Sequence, residues 1–383
     1  MSVPVPKLRF KNFSQALING PFEQYIKSSK YGPRFDANDY DLNGNVKTIR
    51  GTDVALDATI KYEQVPIANL PQKLIDEHQL QEGDILMITT ADCGLSAVFE
   101  KQEIPFIASA YAVRIVLKNS LDSLWVKYYL QTQHIVNEVN KYVRKGTLSN
   151  LPLSDISKFS FTVPALEEQT KIATFLSAVD EKISQLTKKH ELLSQYKQGM
   201  MQKLFSQQVR FKADDGSEFG EWDQLKFKDV IKIKYGKDHK KLDDGDIPVL
   251  GTGGVMRYVD SYLYEGESIL IGRKGTIDKP RFISGKFWTV DTLFYTEIGE
   301  KILPKFAFQQ LLLVNWLNLN EATGVPSLNT TSIGNIELKV PCLAEQTKIA
   351  NVLSAIDQKI EVVSKQIEQA KQWKKGLLQQ MFI

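Results

Sequence analysis

One seventeen-residue stretch occurs twice in this chain, as "EEQTKIATFLSAVDEKI" from Glu167 and as "AEQTKIANVLSAIDQKI" from Ala344. Extended at a constant offset of 177, residues 164–205 and 341–382 agree at 21 of 42 positions without a gap. In both copies the apolar residues step by four and three, the spacing of a heptad seam along a helix. The first seam is Ile172, Leu176, Val179, Ile183, Leu186 and Leu193; the second is Ile349, Leu353, Ile356, Ile360, Val363 and Ile367. About 40 helical residues make a rod of roughly 60 Å, and so long an apolar stripe needs a partner. The nearest is the other copy. Each helix follows a globular block, so an antiparallel pairing is expected, with a block at each end. His190 interrupts the first seam, and Lys197 and Lys374 interrupt both at the same place. Polar residues on a seam commonly fix its register.

A seam asks only for apolar side chains at its own positions, yet several identities lie off it. Gln169, Lys171, Asp180 and Lys182 recur as Gln346, Lys348, Asp357 and Lys359. The blocks between the helices have diverged far more than the helices have. These eight residues are therefore expected to present one docking surface to two copies of a shared partner.

At 383 residues, 43% hydrophobic and 24% charged, the chain has room for two domains and the composition of a globular protein. The expected division is 1–162, a first globular block; 163–207, a first helical spacer; 208–340, a second block; and 341–383, a second spacer. Each block reads as strands followed by a helical stretch, so the expected fold class is α+β. It comprises two related mixed α/β modules separated by the two long helices, paired as an antiparallel coiled coil. Fainter echoes tie the blocks together: "LRF" at 8–10 against "VRF" at 209–211, and "EGDILMI" at 82–88 beside "EGESILI" at 265–271.

Net charge is only +3, so a polyanionic partner must be met by a local patch. The second block offers one. Seven lysines (226, 228, 232, 234, 237, 240 and 241) fall within sixteen residues, followed by "GTGG" at 251–254, Arg257-Tyr258 and "GRKGT" at 272–276. Glycines let a loop approach a phosphate or a groove wall, and neighbouring Arg or Lys neutralises phosphate or forks onto guanine. Lys237, Thr252, Gly253, Gly254, Arg257, Tyr258, Arg273 and Lys274 are the DNA-contact candidates there. The first block contributes fewer: Arg34, Lys47, Arg50, Thr89 and Thr90, all in expected loops.

Catalytic patterns are missing. "GRKGT" lacks the spacing of a phosphate loop, and no Pro-Pro pair exists for an amino-methyltransferase signature. The four histidines are isolated, and Cys93 and Cys342 have no ligand spacing. Glu265 and Glu267 with Lys274 form only a weak nuclease pattern. Neither an enzyme, a metal nor a cofactor is expected. The opening "MSVPVPKLRF" has no apolar signal region, and a reducing bacterial or archaeal cytoplasm is the expected location.

Together, "KLRFKNF", the twin helices, and "IPVLGTGGVMRY", "LIGRKGTIDKP", "FWTVDTLFY" and "GVPSL" resemble the specificity subunit of type I restriction–modification systems along the whole chain. The first block departs more from that pattern and lacks its own "GRKG". The resemblance implies a non-catalytic DNA-binding subunit whose two recognition domains read a split, asymmetric double-stranded target. It also implies that two methylation subunits, and in some systems two restriction subunits, dock on it. From the residues alone, a stand-alone coiled-coil DNA-binding regulator and a scaffold without nucleic acid remain open alternatives.

Overall fold

The computed structural model describes residues 5–382. They fall into two contact units: residues 5–186 with 366–382, and residues 187–365. Each repeat is one unbroken helix, Leu166–Phe205 and Leu343–Met381, and each contributes residues to both units.

In unit 1 a four-stranded sheet runs in the order Ile26–Tyr31, Ala112–Leu117, Ile85–Ile88 and Ser96–Val98, all antiparallel. A three-stranded sheet sets Val46–Ile49 between Ile67–Ala68 and a parallel strand, Phe106–Ala108. In unit 2 one six-stranded sheet runs Ile231–Tyr235, Leu293–Ile298, Tyr264–Gly272, Arg281–Thr289, Ile247–Gly251 and Gly254–Val259. Its single parallel pair joins Ile247–Gly251 to Arg281–Thr289. A two-stranded ladder leads into each long helix: Ile18–Pro21 with Ser160–Val163, and Asp223–Lys226 with Glu337–Val340.

Each expected helical stretch is broken. Residues 120–142 form two helices, Ser123–Tyr129 and Gln133–Tyr142, because Asp122 and Thr132 each cap a new start by accepting backbone N–H bonds. The second block's stretch becomes Pro304–Leu311 and a 3-10 turn, Trp316–Leu319.

Within unit 1 the long helices run antiparallel: Ile172 lies by Met381, and Lys374 Nζ reaches Asp180 Oδ1 at 2.6 Å. Unit 2 repeats the sense, with Lys197 on Asp357 at 2.6 Å and Arg210 on Glu345 at 2.8 Å. The seam residues Ile172, Leu176, Val179, Leu186, Ile349, Leu353, Ile356 and Val363 are buried, and Ile183, Leu193, Ile360 and Ile367 half-buried. The two lysines that break the seam thus each meet an aspartate of the other helix, and the two pairs are equivalent at the 177-residue offset.

Two of the eight off-seam identities, Gln169 and Gln346, are internal and leave the expected docking surface. Gln169 and Gln346 are 1% and 0% exposed. Gln169 bonds the backbone of Pro164, Ser120 and Asp122; Gln346 bonds that of Pro341, Lys301 and Leu303. Each glutamine therefore ties the start of its helix to the short helix packed on it. Asp180 also accepts the Tyr128 hydroxyl, and Asp357 the Gln309 amide. Lys348 is held by Asp214 and the Lys212 carbonyl. Lys171, Lys182 and Lys359 stay exposed.

The "LRF" and "VRF" echo has the same origin. Arg9 forks onto Glu168 and Arg210 onto Glu345, both carboxylates being buried in the first turn of a long helix. Carboxylates there also favour the helix dipole. Phe382 packs on Trp125 and Tyr129 in unit 1, as Phe205 packs on Phe306 in unit 2.

Candidate functional site

Three loops of unit 2 leave the sheet at the carboxyl ends of its strands: 252–253, 273–276 and 290–292. A short segment after Ile231–Tyr235 joins them. Gly236 is obligatory there, because a Cβ would stand 2.0 Å from the Val290 carbonyl oxygen. An open cavity of about 760 Å³ lies among them, lined by 238–240, 251–256 and 290–292. Arg281, whose guanidinium burial pulls below its ordinary value, donates to the Gly251 carbonyl and steadies the floor. Gly254 has φ of +127°, which explains its identity. Gly253 has neither a left-handed φ nor an atom within 4 Å of a built Cβ. Nothing in the chain itself requires that glycine.

The structure brings Thr252, Gly253 and Gly254 together on this cavity, with Arg273 and Lys274 on the loop beside it. Gly275 stands 3.7 Å, measured from its built Cβ, from Thr252 Oγ1. Arg273 stacks over Tyr235 at 5.5 Å and donates to the Asp291 carbonyl, whereas Lys274 is exposed. Lys237 is exposed, and its backbone bonds Thr289 and Trp288. Arg257 is tied to Asp244 and the Leu242 carbonyl, and Tyr258 is exposed on the Gly254–Val259 strand. The lysine run disperses. Lys232 and Lys234 sit on the sheet's edge strand, where charge discourages edge pairing, and Lys226 and Lys228 lie at its far end. The weak nuclease pattern dissolves as well. Glu265 lies near the start of the Tyr264–Gly272 strand, whereas Lys274 lies on the loop that follows its other end.

Unit 1 repeats this scaffold with other side chains. "KYG" occurs at 30–32 and 234–236, and Gly32 is as tightly placed as Gly236, its Cβ position being 2.1 Å from the Ala108 carbonyl oxygen. Thr89 and Thr90 occupy the place of Arg273 and Lys274. Thr89 N–H donates to Tyr111 O as Arg273 N–H donates to Thr292 O, and Leu151 N–H to Thr89 O as Leu328 N–H to Arg273 O. Ala91 holds the left-handed position, φ +63°, that Gly275 holds in unit 2. The absent "GRKG" is therefore a Thr-Thr-Ala turn on the same backbone frame.

The first block's candidates are more constrained than expected. Thr89 is buried, its hydroxyl on the Tyr111 carbonyl, and Thr90 is half-buried. Lys47 reaches the Tyr62 carbonyl over the Phe106 ring, and Arg50 forks onto buried Asp53. Arg34 is exposed. A second cavity, about 570 Å³, opens here between Gly51, Thr52, Leu56, Asp92 and the helix carrying Val136 and Asn140. Among the described residues no cluster of three His, Cys, Asp or Glu is placed to hold a metal, and no helix is long and apolar enough to cross a membrane.

Residues 26–194 and 220–372 match the type I restriction modification DNA specificity domain. The chain belongs to that family. It is similar to the MjaVIII specificity subunit of Methanocaldococcus jannaschii, 28% identical over 348 residues and 78% of each chain. It is also similar to the EcoprrI specificity subunit of Escherichia coli, 20% identical over 90% of each. Its fold resembles that of the S subunit of a type I restriction–modification system from M. genitalium, with a TM-score of 0.68, 18% identity and 99% of each chain covered. A chain from work on complex assembly and conformational transition of the type I system aligns at a TM-score of 0.54 and 12% identity over 97% and 98%. The chain is thus a specificity subunit by family, with two recognition modules and two long helices.

Proposed function

We propose that each unit reads one part of a split, asymmetric double-stranded DNA target, and that two methylation subunits dock on the long helices. Restriction subunits join where the system has them. The domain division 1–162, 163–207, 208–340 and 341–383 belongs to this reading, as does a cytoplasmic, non-catalytic role. One observation carries it: the same backbone frame recurs in both units, its strand ends bearing different side chains. A frame kept constant under varied loops is what two readers of two different words require. Gly253 and Gly254, Arg273, Lys274 and Lys237 supply close approach and charge in unit 2; in unit 1 Thr52 borders the cavity, and exposed Arg34 and half-buried Thr90 remain candidates. Base contacts supply discrimination of about 1–3 kcal/mol per mismatched pair, and phosphate contacts most of the salt-dependent affinity. Lys171, Lys182 and Lys359 remain as the exposed part of the expected docking surface.

The test is a methylome. The chain is co-expressed with a methylation subunit of its system in a methylation-free host, and modified adenines are mapped. A two-part motif with an unspecified gap, one part of which is lost when Arg273 and Lys274 become alanine, is the expected result. Complex formation without any motif would leave a scaffold as the better reading.

A further inference from the structure

We infer that unit 1 reads its half-site through apolar contact with a thymine 5-methyl group, made by Leu56; this rests on the DNA-reading function proposed above. The two units differ in what they offer. Where unit 2 carries Arg273 and Lys274, unit 1 carries Thr89 and Thr90. Of its other cations, Arg50 is engaged on Asp53 and Lys47 on a carbonyl, while exposed Arg34 lies outside the cavity lining. Among the described residues that line the cavity beside Leu56 there is therefore no guanidinium to fork onto guanine.

It presents a leucine. Leu56 is 91% exposed and borders the unit 1 cavity beside Thr52. The loop that carries it is built, not slack. Val54 and Ile60 form a β-bridge and are buried, Ala55 N–H donates to Thr59 O, and Ala58 N–H to Ala55 O. Asp57 accepts both the Thr59 N–H and its hydroxyl. Ala58 closes the turn at φ +63°, a left-handed conformation that disfavours a side chain bearing a Cβ. Two anchors, a ladder of local bonds and one strained residue thus hold a leucine out of the protein, at the edge where bases are to be read.

The chemistry follows from the base edges. In the major groove only thymine displays an apolar group, its C5 methyl, and apolar side chains read it. The neighbouring carboxylates, Asp57 and exposed Asp92, repel phosphate, which favours a tip that passes between the backbones and meets the base edge. Leu56 is then a specificity-determining residue for the half-site of unit 1.

The experiment uses the full chain in complex with its methylation subunit and duplexes carrying the mapped target. Each base pair is first changed in turn, which assigns the two parts; Gly253→Leu marks the part read by unit 2. Every thymine in the other part is then replaced by deoxyuracil, which removes only the methyl. A loss of roughly tenfold in methylation kcat/KM at one uracil position is expected. In Leu56→Ala the thymine and uracil duplexes should become equal. Full rates on every uracil duplex, or a unit 1 part without thymine, overturn the inference. So does a Leu56→Ala effect confined to assembly with the methylation subunit. If only one part of the target responds to base changes at all, the split-reading function itself fails, and the two failures are told apart.

Discussion

Residues carry the clearest functional signal where the protein's own packing does not explain them. Gly253 is such a residue, with open space where its Cβ would be. Gly253→Leu is expected to leave the unfolding midpoint within about 0.5 kcal/mol of the parent, as surface changes usually do, while methylation loses its dependence on one part of the target. A stable variant with an unchanged motif would take the 251–254 loop out of the interface. Asp53 is the opposite case, a residue whose chemistry is spent inside the fold. Burial acts to raise its carboxyl, but bonds from the Arg50 side chain and backbone and from Gln64 outweigh this and hold it below the ordinary 3.8. A depressed carboxylate contributes stability above its unfolded pKa and loses it as pH falls through the lower folded value. Amide exchange across 50–64 should therefore accelerate below about pH 4, and Asp53→Asn should show no such acid-dependent rise.

The long helices show what a sequence discloses and what it hides. Their seam is legible because heptad spacing is local, and the antiparallel sense follows from where the blocks lie. The roles of Gln169, Asp180 and their twins are not, since identity between copies looks the same whether it serves a partner or the interior. Only contacts over 40 or more residues reveal the interior role. "KYG" was legible as a repeat, but three residues at an offset of 204 do not stand out against a helix at 177. The parallel strand pairs that gather the site loops join segments about 40–60 residues apart, which no periodicity reports. Two predictions belong here. Asp180→Lys should weaken the helix pairing of unit 1, and combining it with Lys374→Asp should restore much of the loss; thermal unfolding of the single and double variants measures the coupling. Glu345→Ala strips the partner from Arg210 and from the Trp222 indole N–H, and should cost about 3 kcal/mol. A loss below 1 kcal/mol in urea unfolding would show that the pair matters little.

For the molecule as a whole, both long helices belong to both units, so helix length is a property of the entire protein. Seven residues inserted into each helix at matched seam positions add about 10 Å of rise, roughly three base pairs of duplex at 3.4 Å per pair. The unspecified gap in the methylated motif should widen accordingly. An unchanged gap would separate helix length from target geometry.

Because unit 1 takes in residues 366–382, its assembly has a timetable. On the ribosome, residues 1–186 emerge long before the segment that brings Leu377, Met381 and Phe382 to Trp125 and Tyr129. Residues 187–365 must be translated in between, which at about 5–20 residues per second takes on the order of ten to forty seconds. Unit 2 is one continuous stretch and meets no such delay. The module made first is thus completed last, its aromatic floor open throughout synthesis, and that interval is when a nascent chain of this kind most needs a chaperone.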